Sequence, residues 1–158
     1  MHYRLYKPDD FAAIYAVEEV CFYPPFRFGR RYLQWLVNAS NSTAWIAEEA
    51  ETMAGFGVVE WTPSIRGLSA YIQTIEVLPA HRGKGAGREL LTRLESSAHD
   101  AGAITLWLHV DASNATAIGL YESRGFLRVG EEKNYYAAGR DALIYRKELD
   151  SRETRGLT

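Results

Sequence analysis

The stretch Arg82-Gly83-Lys84-Gly85-Ala86-Gly87-Arg88 places three glycines and three cations within seven residues, a composition suited to holding an anion. Glycines let a backbone approach a ligand closely, and the free amides and positive dipole end at a helix start favour negative charge. Residues 68–78 before the loop read as a strand, while Leu90, Leu91, Leu94 and Ala98 after it repeat at helical spacing. Strand, glycine turn and helix therefore follow in the order that a phosphate cradle requires. A solvated basic turn is the alternative. Two other phosphate loops fail on spacing: a P-loop needs Ser or Thr where Gly85 stands, and a dinucleotide fingerprint needs glycine where Arg88 stands.

A second set of chemically able residues lies further along. Ile104, Leu106, Leu108 and Val110 alternate with Thr105, Trp107 and His109, the period of a strand, so His109 projects away from the apolar face. Residues 114, 117, 118 and 121 then share one face of a helix, which aligns Asn114 with Tyr121. A histidine held by a structural hydrogen bond, a packing tyrosine and a locally bonded asparagine are the alternatives for these residues.

The elements that must position these groups can be read from pattern. Residues 2–6 form a first strand. Pro8-Asp9-Asp10 opens a helix ended by Pro24-Pro25, and Tyr32, Leu33, Leu36 and Val37 mark a second helix. Residues 43–48 and 53–62 pair as a hairpin, and Pro79 closes the strand 68–78. From Gly83 a helix runs to Ala101-Gly102. Ser113 caps the next, which stops at Gly125, and residues 126–130 and 142–149 are closing strands. The expectation is an α/β (α+β) fold with a mixed sheet of about seven strands and four helices, in one domain over residues 1–149. Residues 150–158 form a polar tail expected to fray.

Composition narrows the function classes. The 158 residues carry 18 basic and 20 acidic side chains, a net charge of −2, so no global field gathers nucleic acid or anionic membrane. No apolar run is long enough to span a bilayer and no leader pattern opens the chain, so a cytoplasmic location is expected. Cys21, the single cysteine, reads as a buried packing thiol.

The spacing Arg82-x-x-Gly85-x-Gly87 resembles the pyrophosphate-binding motif of the GNAT superfamily of N-acetyltransferases, and the element order follows that fold over residues 1–149. The resemblance implies a centrally splayed sheet and acetyl-coenzyme A as co-substrate, with no metal. Residues 106–126, Lys133-Asn134-Tyr135-Tyr136 and Gly139-Arg140-Asp141-Ala142 resemble the bacterial ribosomal-protein N-α-acetyltransferases of the Rim type. By that resemblance Ile75, Glu76, Val77, Arg82, Gly83, Lys84, Gly85, Ala86 and Gly87 bind the coenzyme, Asn114 holds its pantetheine arm, and Tyr121 protonates the leaving thiolate. One departure matters. Those enzymes usually carry Glu where His109 stands, whereas Leu108-His109-Val110, with Tyr71 eleven residues before Arg82, resembles eukaryotic amino-terminal acetyltransferases. The base is therefore His109, Tyr71 or both, acting through water. The acceptor is expected between Phe22, Tyr23 and Pro24 on one side and Tyr135 and Tyr136 on the other.

Direct acetyl transfer needs a neutral amine, an oxyanion donor and a proton for the thiolate. An α-amine, with a pKa of about 7.7–8.0, is far more often neutral near pH 7 than a lysine at about 10.4, and an ordinary histidine is an adequate base for it. A protein N-terminus is the favoured acceptor, a ribosomal protein among the candidates, and a monomer or weak dimer is expected. Rival acceptors are a small-molecule amine or a protein lysine. A non-catalytic acyl-coenzyme A sensor would keep the loop without needing Tyr121 and His109.

Overall fold

The computed structural model describes residues 1–24 and 26–149. Pro25 and the tail 150–158 lie outside the described residues. The chain runs β1 (His2–Leu5), a 3-10 turn (Pro8–Asp10), α1 (Phe11–Cys21), α2 (Arg30–Asn38), β2 (Ser42–Glu49), β3 (Thr52–Ser64) and β4 (Gly67–Val77). A second 3-10 turn (Pro79–His81) leads to α3 (Ala86–Asp100), β5 (Ala103–Asp111), α4 (Ala115–Ser123), β6 (Leu127–Ala137) and β7 (Arg140–Glu148). The strands form one sheet in the order β1-β2-β3-β4-β5-β7-β6. β4 and β5 pair in parallel and the other neighbours antiparallel. The expected mixed sheet with four helices is the fold that forms.

Successive side chains of β3 point to opposite faces, and both faces are covered. Val58 packs with Phe11, Ile14, Leu33 and Leu36 from α1 and α2, whereas Val59 joins Leu91, Leu94 and Ala98 from α3. Met53 to Val59 are consequently all buried, which explains why this strand lacks an alternating pattern. Trp45 adds a polar tie across the α3 face, its indole N–H donating to Ser97 Oγ at 2.9 Å.

Several local expectations shift. Pro8–Asp10 is a 3-10 turn and the α-helix starts at Phe11, because Asp10 bonds back to Lys7 and Arg4 before the helix begins. α1 ends at Cys21, ahead of the prolines, with the Phe22 amide donating to Glu18 O. The helix after the glycine loop starts at Ala86, not Gly83, since Gly83 and Gly85 both hold left-handed backbone (φ 78 and 85). Asn114, not Ser113, caps α4: its Oδ1 accepts the Ala117 amide at 3.1 Å, while the Ser113 hydroxyl donates to Asp111. β6 runs on to Ala137, far past Gly130, because it pairs with β7 around the turn before Arg140.

Candidate active site

The parallel ladder between β4 and β5 stops at Tyr71 opposite Trp107. Beyond it, residues 72–77 pair only with β3, and residues 108–111 only with β7. The strands splay there, and one edge of each is left without a strand partner, free to bond a ligand. A cleft of ≈ 490 Å³ opens on this gap, walled by Ile75, Glu76 and Val77 on one side and by Asn114, Ala117 and Tyr121 on the other.

The glycine loop forms one end of the cleft, which Arg82, Gly83, Gly85, Ala86 and Gly87 line. Glu89 N to Gly85 O, at 3.0 Å, is the first α-helical bond of α3, so the amides of Ala86, Gly87 and Arg88 precede the helix ladder. Gly85 needs its residue type for backbone reasons, since its φ of 85 is the left-handed region that side chains resist. Gly87 does not. A Cβ there would meet Leu120 Cδ2 at 3.6 Å, ordinary contact, so the protein itself leaves room at this position. Arg82 is fixed by its Nε–H donating to Val77 O at 2.8 Å. Lys84, expected to join the cradle, instead bonds Glu49 at 3.3 Å and is not among the lining residues.

Tyr121 is 8% exposed and reaches the cleft. Burial pushes its phenol up to about 12, and among the described residues its hydroxyl has no hydrogen-bond partner. A neutral phenol of this kind can donate its O–H to, and accept a hydrogen bond from, what enters the cleft.

At the point of splay, Tyr71 and His109 meet across the gap. The Tyr71 oxygen lies 2.7 Å from His109 Nδ1, and His109 Nε2 lies 3.3 Å from Glu132 Oε1. A carboxylate only accepts, so Nε2 of a neutral ring carries the hydrogen and Nδ1 accepts from the Tyr71 hydroxyl. Burial, followed by Tyr135 and Tyr136, holds the Tyr71 phenol above its ordinary value, with a hydrogen bond from the His109 backbone opposing. Tyr135 stacks on His109 with ring centroids 4.3 Å apart and planes 7° apart, and meets Tyr136 edge-on at 4.9 Å. Tyr136 in turn contacts Phe26 (6.0 Å), which packs on Tyr23 (5.5 Å). The loop after α1 and the β6–β7 hairpin thus meet over His109.

The hairpin has its own scaffold. Asn134 holds a left-handed φ of 58, its Oδ1 accepts the Gly139 amide (2.7 Å), and its amide donates to Asp141 (2.8 Å). Arg140 ties it to Asp111 at the end of β5 and lies over the Phe26 ring at 5.0 Å. Residues quoted from the sequence as a motif therefore shape the turn that carries Tyr135 and Tyr136.

Of the residues expected to meet the acceptor, Tyr23 and Tyr136 join the aromatic bridge, Phe22 lines the cleft, and Pro24 is an exposed turn residue. Sequence reasoning missed Glu132, although it adjoins the Asn-Tyr-Tyr segment. The register shift between Glu132 and Ala137, with left-handed Asn134 inside it, breaks the alternation that would have assigned its face. Leu120 was findable by helical spacing from Ala117. Cys21, read as packing, does join the α1–α2 core but also walls the cleft, its thiol pushed up to about 11 by burial and by Glu76.

No helix among the described residues is long and apolar enough to cross a membrane. The model of the acetyltransferase (GNAT) family matches residues 10–126. The ribosomal protein bS18-alanine N-acetyltransferase of Escherichia coli is 46% identical over 119 residues, covering 73% of this chain and 71% of that protein. An uncharacterized protein of Mycobacterium leprae is 39% identical over 103 residues, 65% of this chain but 28% of its own length. The crystal structure of an Escherichia coli ribosomal-protein alanine N-acetyltransferase superposes over 96% of both chains with a TM-score of 0.82 at 27% identity.

Proposed function

The chain belongs to the acetyltransferase (GNAT) family and is an N-acetyltransferase, and we propose that it moves the acetyl group of acetyl-coenzyme A to the α-amine at the N-terminus of another protein, in the cytoplasm. The observation that carries this reading is the array Tyr71–His109–Glu132 at the splay, roofed by Tyr135 and open toward the aromatic loop. The residues present fit the co-substrate. The amides of residues 86–88 and Arg82 would hold its pyrophosphate, the free edge of β4 at Ile75–Val77 and the Asn114 amide its pantetheine arm. When bound, it supplies an activated acyl group on a thiol leaving group.

The protein's own groups then handle two protons. Tyr71 accepts one from the incoming amine, directly or through a water, while passing its own to His109 Nδ1; Glu132 fixes the tautomer that leaves Nδ1 free to accept it. Burial keeps Tyr71 from ionising, which suits a relay rather than a standing anion. Tyr121, neutral to about 12, donates the second proton to the departing sulfur. No protein nucleophile is involved. Flat rings on Tyr23, Phe26, Tyr135 and Tyr136 suit an extended peptide entering over His109.

Acetyl transfer to short peptides with free and blocked N-termini, beside lysine-containing peptides and small amines, tests this directly. Turnover restricted to free N-termini is the expected result. The bS18-alanine acetyltransferase relative makes an alanine-initiated ribosomal peptide the first acceptor to assay. Preferred turnover of small amines would overturn the acceptor assignment while leaving the transferase standing.

A further inference from the structure

Two carboxyl groups, both withdrawn from water, stand outside this proton path. Glu18 in α1 is 0% exposed and Glu76 in β4 is 2% exposed. A buried pair of this kind cannot keep both negative charges. Each is half satisfied: Glu18 Oε2 accepts the Phe28 amide at 3.1 Å, and Glu76 Oε2 accepts the Thr74 hydroxyl at 2.8 Å. The Oε1 atom of each has no N–H or O–H partner among the described residues. α1 packs on β4, and Glu18 is the neighbour that most opposes a charge on Glu76, so one proton placed between the two carboxyl groups would relieve both the repulsion and an unpartnered oxygen. Among the described residues, the neighbouring cation Arg82 is engaged elsewhere, bonding Val77 O and Cys21 Sγ, and the Cys21 thiol stays neutral. Burial first, and then Glu18, hold the Glu76 acid well above the usual carboxylate range.

The placement of the pair gives it a job. Glu76 walls the coenzyme cleft, whereas Phe28 closes the loop that carries Phe22, Tyr23 and Phe26. We propose that Glu18 and Glu76 share one proton and act as a positioning pair, docking the acceptor loop against the coenzyme-binding strand and so setting acceptor affinity. This rests on the acceptor reading of that loop. Neither residue touches the reacting atoms.

The shared proton is tested on the free protein. An acid raised in the folded state contributes stability that is full below its unfolded value, near 4.5, and is lost as pH rises toward the folded value. Above about pH 5 the Tm of the wild type should therefore fall relative to Glu76→Gln by about 3 °C per pH unit, until the proton leaves. Gln supplies the N–H that the pair otherwise obtains from the proton. Parallel Tm profiles would overturn the shared proton. The loop is tested with Glu18→Ala, which removes the acceptor of the Phe28 amide. Hydrogen exchange at the amides of residues 26–28 should quicken about tenfold, and KM for an alanine-initiated peptide should rise about tenfold while acetyl-coenzyme A affinity and kcat stay within about twofold. Glu18→Gln, which still accepts from Phe28, should restore both. Unchanged exchange, or equal losses for peptide and coenzyme, would overturn the positioning role. If Glu18→Ala does not fold, the Tm comparison and the exchange rates of Glu18→Gln against wild type still decide. If no peptide is acetylated by the wild type, the acceptor reading fails, and the Tm and exchange arms judge the pair without it.

Discussion

The two ends of the site are built in opposite ways. The proposed coenzyme end is mostly backbone from one contiguous stretch, residues 82–88, where free amides and missing side chains would do the binding. The proposed acceptor end is all side chains, brought from β4, β5, β6 and the loop after α1, with Tyr71 and His109 touching across 38 residues of chain and His109 and Glu132 across 23. Backbone recognition depends on φ angles and helix starts, which local sequence dictates. Side-chain recognition depends on which strands neighbour one another and where they part. The coenzyme end should accordingly tolerate changes of charge but not of bulk, and the acceptor end should tolerate modest changes of bulk but not of proton-bearing atoms.

The sharpest break of that comparison is His109→Gln or Tyr71→Phe. Each is expected to lower kcat/KM for a peptide about 10²–10⁴-fold, the range for a positioned acid or base, with coenzyme affinity unchanged by calorimetry. Wild-type kcat/KM in His109→Gln would make His109 a packing residue rather than a proton acceptor. Because burial and Tyr135 raise Tyr71, ionisation of this phenol should add no falling limb below about pH 10. A Tyr71→Phe enzyme with wild-type kcat/KM would remove Tyr71 from the relay.

Tyr121→Phe probes the junction of the two ends. A fall in kcat of about 10²-fold or more, with KM for the coenzyme nearly constant, is the outcome for an acid that acts only on the leaving sulfur. Single-turnover rates would show whether chemistry is the step affected. Full single-turnover rate in the variant would assign the proton to water.

On the coenzyme end, Gly87→Val should weaken acetyl-coenzyme A binding by at least about tenfold while the fold persists, since the added Cβ meets only Leu120 at 3.6 Å within the protein. Gly85→Ala differs in kind. Its φ of 85 makes the change a backbone strain of about 1–2 kcal/mol, read as a lower Tm even without coenzyme. A Gly87→Val protein that binds normally would move the pyrophosphate away from the α3 start. The smallest effect belongs to Lys84→Ala. Its ammonium is half exposed and already bonded to Glu49, so coenzyme affinity should change no more than about threefold at physiological salt.

The amino-acid sequence by itself determined most of the architecture. Apolar periodicity separated helices from strands, and Gly83, Gly85 and Gly87 marked the turn that leads into α3, because both signals are local consequences of side-chain shape and backbone freedom. It also put His109 on the non-apolar face of its strand, where the structure finds it between buried Leu108 and Val110. Caps and strand ends were less legible. Ser113 and Asn114 are both able caps, and only the competing bond of Ser113 to Asp111 selects Asn114. Tertiary structure alone decided the rest. Tyr71 faces His109 because the parallel pairing of β4 and β5 ends at that point, and Tyr135 lies over His109 because Asn134 turns left-handed and breaks the strand's alternation. The burial of Glu18 and Glu76 side by side is of the same kind: each is an ordinary acidic residue in its own helix or strand until the packing of α1 on β4 removes water from both. Contacts between residues distant in the chain depend on sheet order and register, and those are properties of the assembled fold.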